Sequence, residues 1–378
     1  MIVIGAPLSL SGKFASHGKH TKNGYELAVR KINERGGVKV GGKSYRLVLR
    51  YYDAESTPAR SATLAERLIV QDGVKFILAP PNPDLTKIML PLVEAHKIPL
   101  IASGEAPRAL LGKGWRYVFV VASPADQHLG PVIDLAAAQA NRLGKTKENI
   151  KVALAMENDP FAQDVRAGVI EAVSRHGMKI VIDDELPAQL EDLSGTLAKM
   201  EVLQPDVLLI SGQEQGAFTA IAQIEAHKAN VPILGLTHCE SAGILQKLGQ
   251  AARNVFCALQ WHRSLGYKDE LFGLAEDFAK QFERAYAYEV PLQAAQSAAA
   301  VHVFAEAFRR ARSLDPQQVR DAIASTELET FYGPIKFDAS GRNIAKVVVL
   351  TQIQDGAHVV VAPANWATGT PVVPRTVQ

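Results

Sequence analysis

The chain has 378 residues, is 47% hydrophobic and carries 41 Lys+Arg against 39 Asp+Glu. That apolar content suffices for two cores of ordinary size. A net charge of +2, with no Lys/Arg run longer than pairs such as Arg309-Arg310, excludes a concentrated nucleic-acid-binding face, and no stretch approaches the ~18 consecutive apolar residues of a membrane span.

The first residues, IVI from Ile2, read as a buried strand. A Ser/Gly-rich loop follows over 9–18. An amphipathic helix comes next, with Ala28, Val29 and Ile32 at helical spacing and Gly36-Gly37 as its stop. A small-residue loop between a strand end and a helix start is where open α/β sheets bind ligands. No basic segment followed by an apolar one precedes the first strand, so the expectation is either a cytosolic protein or one whose leader was removed ahead of Met1.

Strand and helix then alternate. Residues 45–52 (YRLVLRYY) read as a strand, 56–72 as a helix, 75–79 (KFILA) as a buried strand, 86–96 as a helix and 99–102 as a strand. Near Ser123 the rhythm restarts: helix 125–143, strand 150–156, helix 163–176, strand 179–183, helix 193–203, strand 206–211, helix 217–229 and strand 232–235. Short strands between helical patterns predict an α/β fold with parallel sheets covered on both faces, and the restart predicts two domains. Residues 268–326 read as mostly helical. Strands are expected at 333–337, 345–353 and 359–361, separated by turns at 338–341 and 355–356.

Catalytic signatures are missing. Residues 37–44 (GVKVGGKS) match the phosphate-loop spacing, but a helix precedes them and a strand follows, the reverse of what phosphate binding needs. A glycine-rich turn into an edge strand is the better reading. The chain has no G-x-S-x-G, H-E-x-x-H or C-x-x-C. The neighbours His238, Cys239 and Glu240 point in different directions on an extended segment, which argues against a metal site. The expectation is a protein that is not an enzyme and holds neither cofactor nor metal. Cys239 and Cys257 are read as two structural thiols; a bridge between them is not decided by sequence.

Several segments together resemble the periplasmic substrate-binding proteins of branched-chain amino acid type ABC transporters, the Leu/Ile/Val-binding group of type I periplasmic binding proteins. They are Leu10-Ser11-Gly12, Asn23-Gly24, Ile32-Asn33-Glu34-Arg35-Gly36-Gly37, Tyr51-Tyr52-Asp53-Ala54, Gly73-Val74-Lys75-Phe76-Ile77, Pro205-Asp206-Val207, and Tyr332-Gly333-Pro334-Ile335-Lys336-Phe337-Asp338 with Gly341. The resemblance implies two doubly wound, Rossmann-like lobes joined by three hinge crossovers near 121–124, 252–256 and 331–335. The first lobe is then 1–121 plus 254–331 and the second 122–253 plus 332–378. It also implies a monomer in the periplasm, its leader removed, that delivers a small-molecule ligand to an ABC permease with a cytoplasmic ATPase. A ligand sensor of the same fold is the alternative.

For the ligand site the resemblance points to Ser11 and His17 in the first loop, Asn82 and Pro83 in a second, and Ser103, Gly104, Glu105 and Ala106 in a third. In the second lobe it points to Phe161, Gln213 and Thr237, and near the second crossover to Trp261 and His262. Pro83 and Ala106 stand where the family offers hydroxyls, His17 where it offers an aromatic ring, and Thr237 where it offers the acid that pairs with a ligand ammonium. A buried amino acid needs both charges answered. The missing acid therefore ranks a small organic acid, aromatic carboxylates first, ahead of branched-chain amino acids. Phe161, Phe218, Trp261 and the two histidines would stack on a flat ring, and His17, His262 or Arg108 would supply the positive partner, with Glu240, Gln213 or Glu214 as substitutes for the acid. Each position also has a plain reading: Ser11 and Asn82 as turn caps, Phe161 as core, Trp261 as hinge packing, His17 and Arg108 as solvated surface.

Overall fold

The computed structural model of the protein describes residues 1–104 and 107–375. It separates into two compact units, Met1–Pro124 with Trp261–Lys346 and Ala125–Gln260 with Val347–Gln378.

In the first unit five parallel strands lie in the order Leu47–Asp53, Ile2–Leu8, Ile77–Leu78, Leu100–Ala102, Val118–Val120. The central ones are continuous apolar runs, as expected of a sheet covered on both faces. The helix Ala15–Glu34 packs on Leu292–Ala311, a helix that buries Ala294, Ala295, Ala298 and Ala299. A Cβ placed on Gly24 would collide with the Ala294 carbonyl oxygen, so the small residues set the closeness of this pair.

The second unit holds a seven-stranded sheet in the order Ala357–Ala362, Val349–Gln354, Phe256–Leu259, Ile233–Leu236, Val207–Ser211, Lys151–Glu157, Lys179–Leu186. The last five run parallel, and the late hairpin adds antiparallel to Phe256–Leu259. Alternation along Lys151–Glu157 sends Val152, Leu154 and Met156 into one core and Ala153 and Ala155 into the other.

The structure differs from the sequence expectation in several places. Residues 332–346 lie with the first unit, not the second, and 254–260 with the second, not the first. Pairing explains both: Glu327–Thr330 and Gly333–Lys336 form one hairpin, Asn343 Nδ2 donates to the Val121 carbonyl, and Phe256–Leu259 sits inside the second sheet. Strands not foreseen include Val118–Val120, Phe256–Leu259 and Glu327–Thr330. They are three or four residues long and show too few positions for a period to emerge. The strand expected at 345–353 begins only at Val349. The helix expected at 86–96 is two short ones, Pro83–Lys87 and Leu90–Ala95. The one expected at 125–143 is broken into Ala125–Gln127, Gly130–Ala138 and Ala140–Leu143, with Gly130-Pro131 restarting it. The segment with phosphate-loop spacing is a hairpin, Val38–Val40 with Lys43–Tyr45, turning on Gly41 and Gly42 at φ of 54° and 87°. Cys239 and Cys257 form a disulfide, a question the sequence left undecided.

One close approach positions the second unit's candidate site. The helix Pro160–His176 meets the Ala125–Gln127 turn at Gly168, where an added Cβ would overlap the Asp126 carbonyl oxygen. Gly168→Val is therefore expected to lose about 3 kcal/mol of stability, read as a shift of the urea midpoint. An unchanged midpoint would show that the helix moves aside freely.

Candidate functional site

In each unit the candidate residues gather where parallel strands end at their carboxyl termini. In the first unit, Ile2–Leu8 runs into Ser9-Leu10-Ser11. The Asp53 carboxylate at the end of the neighbouring strand accepts the backbone N–H groups of Leu10, Ser11 and Glu55. Burial pushes the Asp53 carboxyl up, but these donors and the Ser11 hydroxyl outweigh it and hold it below its ordinary value. Ser11 is thus part of a folded turn. The expected loop ends early: the helix starts at Ala15, which places His17 in its exposed first turn.

Asn82 caps the helix Pro83–Lys87, its Oδ1 accepting from Asp84 and Leu85. Pro83 opens that helix. The Ser103 hydroxyl is fully buried, accepts from Ser297 at 3.2 Å and lies 3.4 Å from the Tyr25 hydroxyl, which itself donates to the Ala79 carbonyl. It braces two strand ends from within. A Cβ on Gly104 would strike the Pro81 carbonyl oxygen, so the loops at 80–82 and 103–104 touch backbone to backbone. Glu105 and Ala106 lie outside the described residues. Arg108 opens the short helix Arg108–Leu111 and is exposed.

Trp261 and His262 stand apart from these loops. Trp261 is 6% exposed, donates Nε1–H to the Phe331 carbonyl at 3.0 Å and meets Phe278 edge-on. It packs inside the first unit, where its one donor is satisfied and its ring meets another. His262 Nδ1 lies 2.8 Å from the Ser264 hydroxyl, and burial followed by the neighbouring Arg263 holds its pKa below the usual histidine value.

The second unit brings more of the candidates together. Asp159 caps Pro160–His176 through Phe161 and Ala162 N–H, which seats Phe161 at the head of that helix. The buried Phe161 ring sits between His128 and His238, each at 5.2 Å and edge-on. Thr237 Oγ1 lies 3.2 Å from the Ser211 hydroxyl and bonds both the N–H and the carbonyl of Gly212. Gln213 and Glu214 are exposed at the start of the helix Glu214–Ala226. Glu240 is half-buried in the loop after the strand Ile233–Leu236, and Phe218 lies under Lys247 at 5.6 Å.

Two residues here escaped sequence reasoning, Glu157 and His128, and His238 entered it only as a rejected metal candidate. Glu157 is 1% exposed; its Oε1 accepts from Leu190 N–H, and Gly212 and Gly216 leave room for the carboxyl where any Cβ would overlap it. Burial raises its pKa against the opposing Leu190 and Gln213 backbone donors. Its one legible signal was a carboxylate directly after the apolar run Val152–Met156.

No group of three His, Cys, Asp or Glu among the described residues is arranged to hold a metal. No helix among them is long and apolar enough to cross a membrane.

Two parallel-sheet units, each carrying polar strand-end loops and joined by three chain crossings, define a two-lobed α/β binding fold. The profile of the family Periplasmic binding protein matches residues 1–357, and the chain belongs to that family. The leucine-specific-binding protein of Salmonella typhimurium is 23% identical over 341 residues, 90% of this chain and 86% of its own. The crystal structure of LivJ from Streptococcus pneumoniae with isoleucine has a TM-score of 0.79 at 22% identity, covering 96% of this chain and all of that one. A solute-binding protein from R. palustris in complex with benzoate has a TM-score of 0.73 at 19% identity, covering 100% of this chain and 98% of that one.

Proposed function

We propose that the protein is a non-enzymatic, extracytoplasmic solute-binding protein. It captures a small organic acid, with aromatic carboxylates preferred to branched-chain amino acids, and hands it to an ABC permease. The observation that carries the ligand class is Phe161, held edge-on by His128 and His238 at the strand ends of the second unit. An aromatic and imidazole cluster favours a flat, anionic ring, and the position where the amino-acid binders have an acid is here Thr237, a hydroxyl turned onto Gly212. One similar structure holds isoleucine and another benzoate, so both classes belong in the same screen. The Cys239–Cys257 bridge suits an oxidising compartment such as the periplasm.

Thermal-shift measurement with benzoate, hydroxybenzoates, leucine and isoleucine tests this directly, since a ligand bound at about 100 times its Kd stabilises by about 2.7 kcal/mol. Benzoates are expected to raise Tm; stabilisation by leucine alone would reverse the ranking. Capture is proposed to proceed by closure of the two units around the ligand. Small-angle scattering should then show compaction at saturation, and unchanged dimensions would count against closure.

A further inference from the structure

A groove of about 640 Å³ lies on the first unit, away from the strand-end loops, between the helix Ala15–Glu34 and the strand Leu47–Asp53. That strand is an edge of its sheet, paired on one side only with Ile2–Leu8. Ile2 N–H donates to the Arg46 carbonyl, so Arg46 turns its backbone inward, and by alternation Leu47, Leu49 and Tyr51 turn theirs outward. Asn33 shows what the outward groups accept. Its carboxamide donates to the Leu47 carbonyl at 2.9 Å and accepts the Leu47 N–H at 2.8 Å, as the peptide group of a next strand would. One and two steps further, Leu49 and Tyr51 meet no strand on that side among the described residues.

The side chains facing the groove specify what would lie there. Val29 and Leu49 give an apolar floor, and Arg30 and Arg46 stand exposed on its walls. The Tyr51 hydroxyl is buried and lacks a hydrogen-bond partner; burial, then Glu26, raises its pKa, so it remains a proton donor. Of the two acids in the lining, Glu26 is paired with Lys22 at 3.6 Å. Glu34 is shared with an adjoining hollow of about 200 Å³ that adds Lys31 and Arg284. Over the two hollows together, four cations (Arg30, Lys31, Arg46 and Arg284) face two acids.

We propose that this edge binds an extended acidic segment of a partner polypeptide by strand addition. Its backbone would pair with Leu49 and Tyr51, continuing the line that Asn33 begins at Leu47. Alternate acidic side chains would lay their methylene stems over Val29 and Leu49. Their carboxylates would reach Arg30, Arg46 and the Tyr51 hydroxyl. A seven-residue edge rich in Leu, Val and Tyr is the kind of template that pairs with another chain unless something covers it. The inference is independent of which solute the protein carries.

Fluorescence anisotropy of the full chain with a labelled, N-acetylated pentapeptide alternating Glu and Val tests it. Saturable binding is expected below about 1 mM. Arg30→Glu with Arg46→Glu should weaken it at least about ten-fold, and Tyr51→Phe about three-fold. Hydrogen exchange at the Leu49 and Tyr51 amides should slow on binding in the unmodified protein, a readout that needs no variant. The idea is overturned by absence of saturable binding, by equal binding of a Lys/Val counterpart, or by equal binding of a peptide N-methylated at the pairing positions. It is equally overturned if exchange at both amides is unaltered at saturation.

Discussion

Reducing the Cys239–Cys257 bridge, or replacing both cysteines by alanine, is expected to lower stability by about 3 kcal/mol. Cys257 lies on Phe256–Leu259, and Cys239 follows the adjacent parallel strand Ile233–Leu236, whose Leu236 pairs with Cys257. The Cα atoms are 5.6 Å apart and the bridge closes a separation of 18 residues that contains the helix Ala242–Leu248. Opening it releases loop entropy to the unfolded chain, and both sulfurs lie in the core on one face of the second sheet. The loss should fall on the second unit. Trp115 and Trp261 report on the first unit and Trp366 on the second, so a Trp366→Phe background isolates the first unit's transition. Urea unfolding with and without reductant, with thiols counted to prove reduction, gives the result. An identical far-UV transition in both states would remove the bridge from any stabilising role.

The second large effect is an unusual rise of stability with pH. Lys346 is 1% exposed, donates Nζ to the Tyr332 carbonyl and sits over the rings of Tyr267 at 4.6 Å and Tyr332 at 4.2 Å. Burial holds its ammonium well below the ordinary lysine value, with Glu329 opposing weakly as the one acid that raises it. The folded value lies below the unfolded one, so between them the unfolded chain binds the extra proton. Stability therefore climbs with pH from the depressed value towards about 10.5, at up to ~1.4 kcal/mol per pH unit. Buried tyrosines reverse the trend higher up. Burial raises Tyr25 and Tyr51 and pushes Tyr286 to about 12, so the unfolded chain loses those protons first and stability falls above about pH 10. Lys346→Met keeps the volume and the stem packing and deletes the titration. Its urea midpoint should stay flat over the alkaline range where the unmodified protein gains. Parallel pH profiles for the two proteins would refute the assignment.

Much of this was legible before any coordinate. Strand–helix alternation announced two parallel α/β sheets, because runs such as FILA (76–79) and VLLI (207–210) are apolar throughout and must be covered on both faces. Reversed strand and helix order disposed of the phosphate-loop spacing at 37–44, and the hairpin on Gly41 and Gly42 is what stands there. Asn82 was readable as a turn cap, and it caps the helix Pro83–Lys87.

The rest depended on contacts distant in sequence. Trp261 had the composition of a pocket wall, yet its neighbours are Phe278 and Phe331, about 17 and 70 positions away, a proximity no local period encodes. Ser103 looked like a ligand hydroxyl until Tyr25 and Ser297 closed around it. Glu157 and its His128–Phe161–His238 neighbourhood came from four separate segments that meet only at the strand ends.

By itself the sequence determined the fold class, the family and the loops that end the strands, since each is written in apolar period, turn chemistry and segment order. Only the tertiary structure decided which polar side chains are already satisfied, that the two cysteines are joined, where the chain passes from one unit to the other, and that one sheet edge lies open beside two arginines. Hydrogen-bond satisfaction and burial belong to pairs of residues, and a single chain position carries no record of its partner.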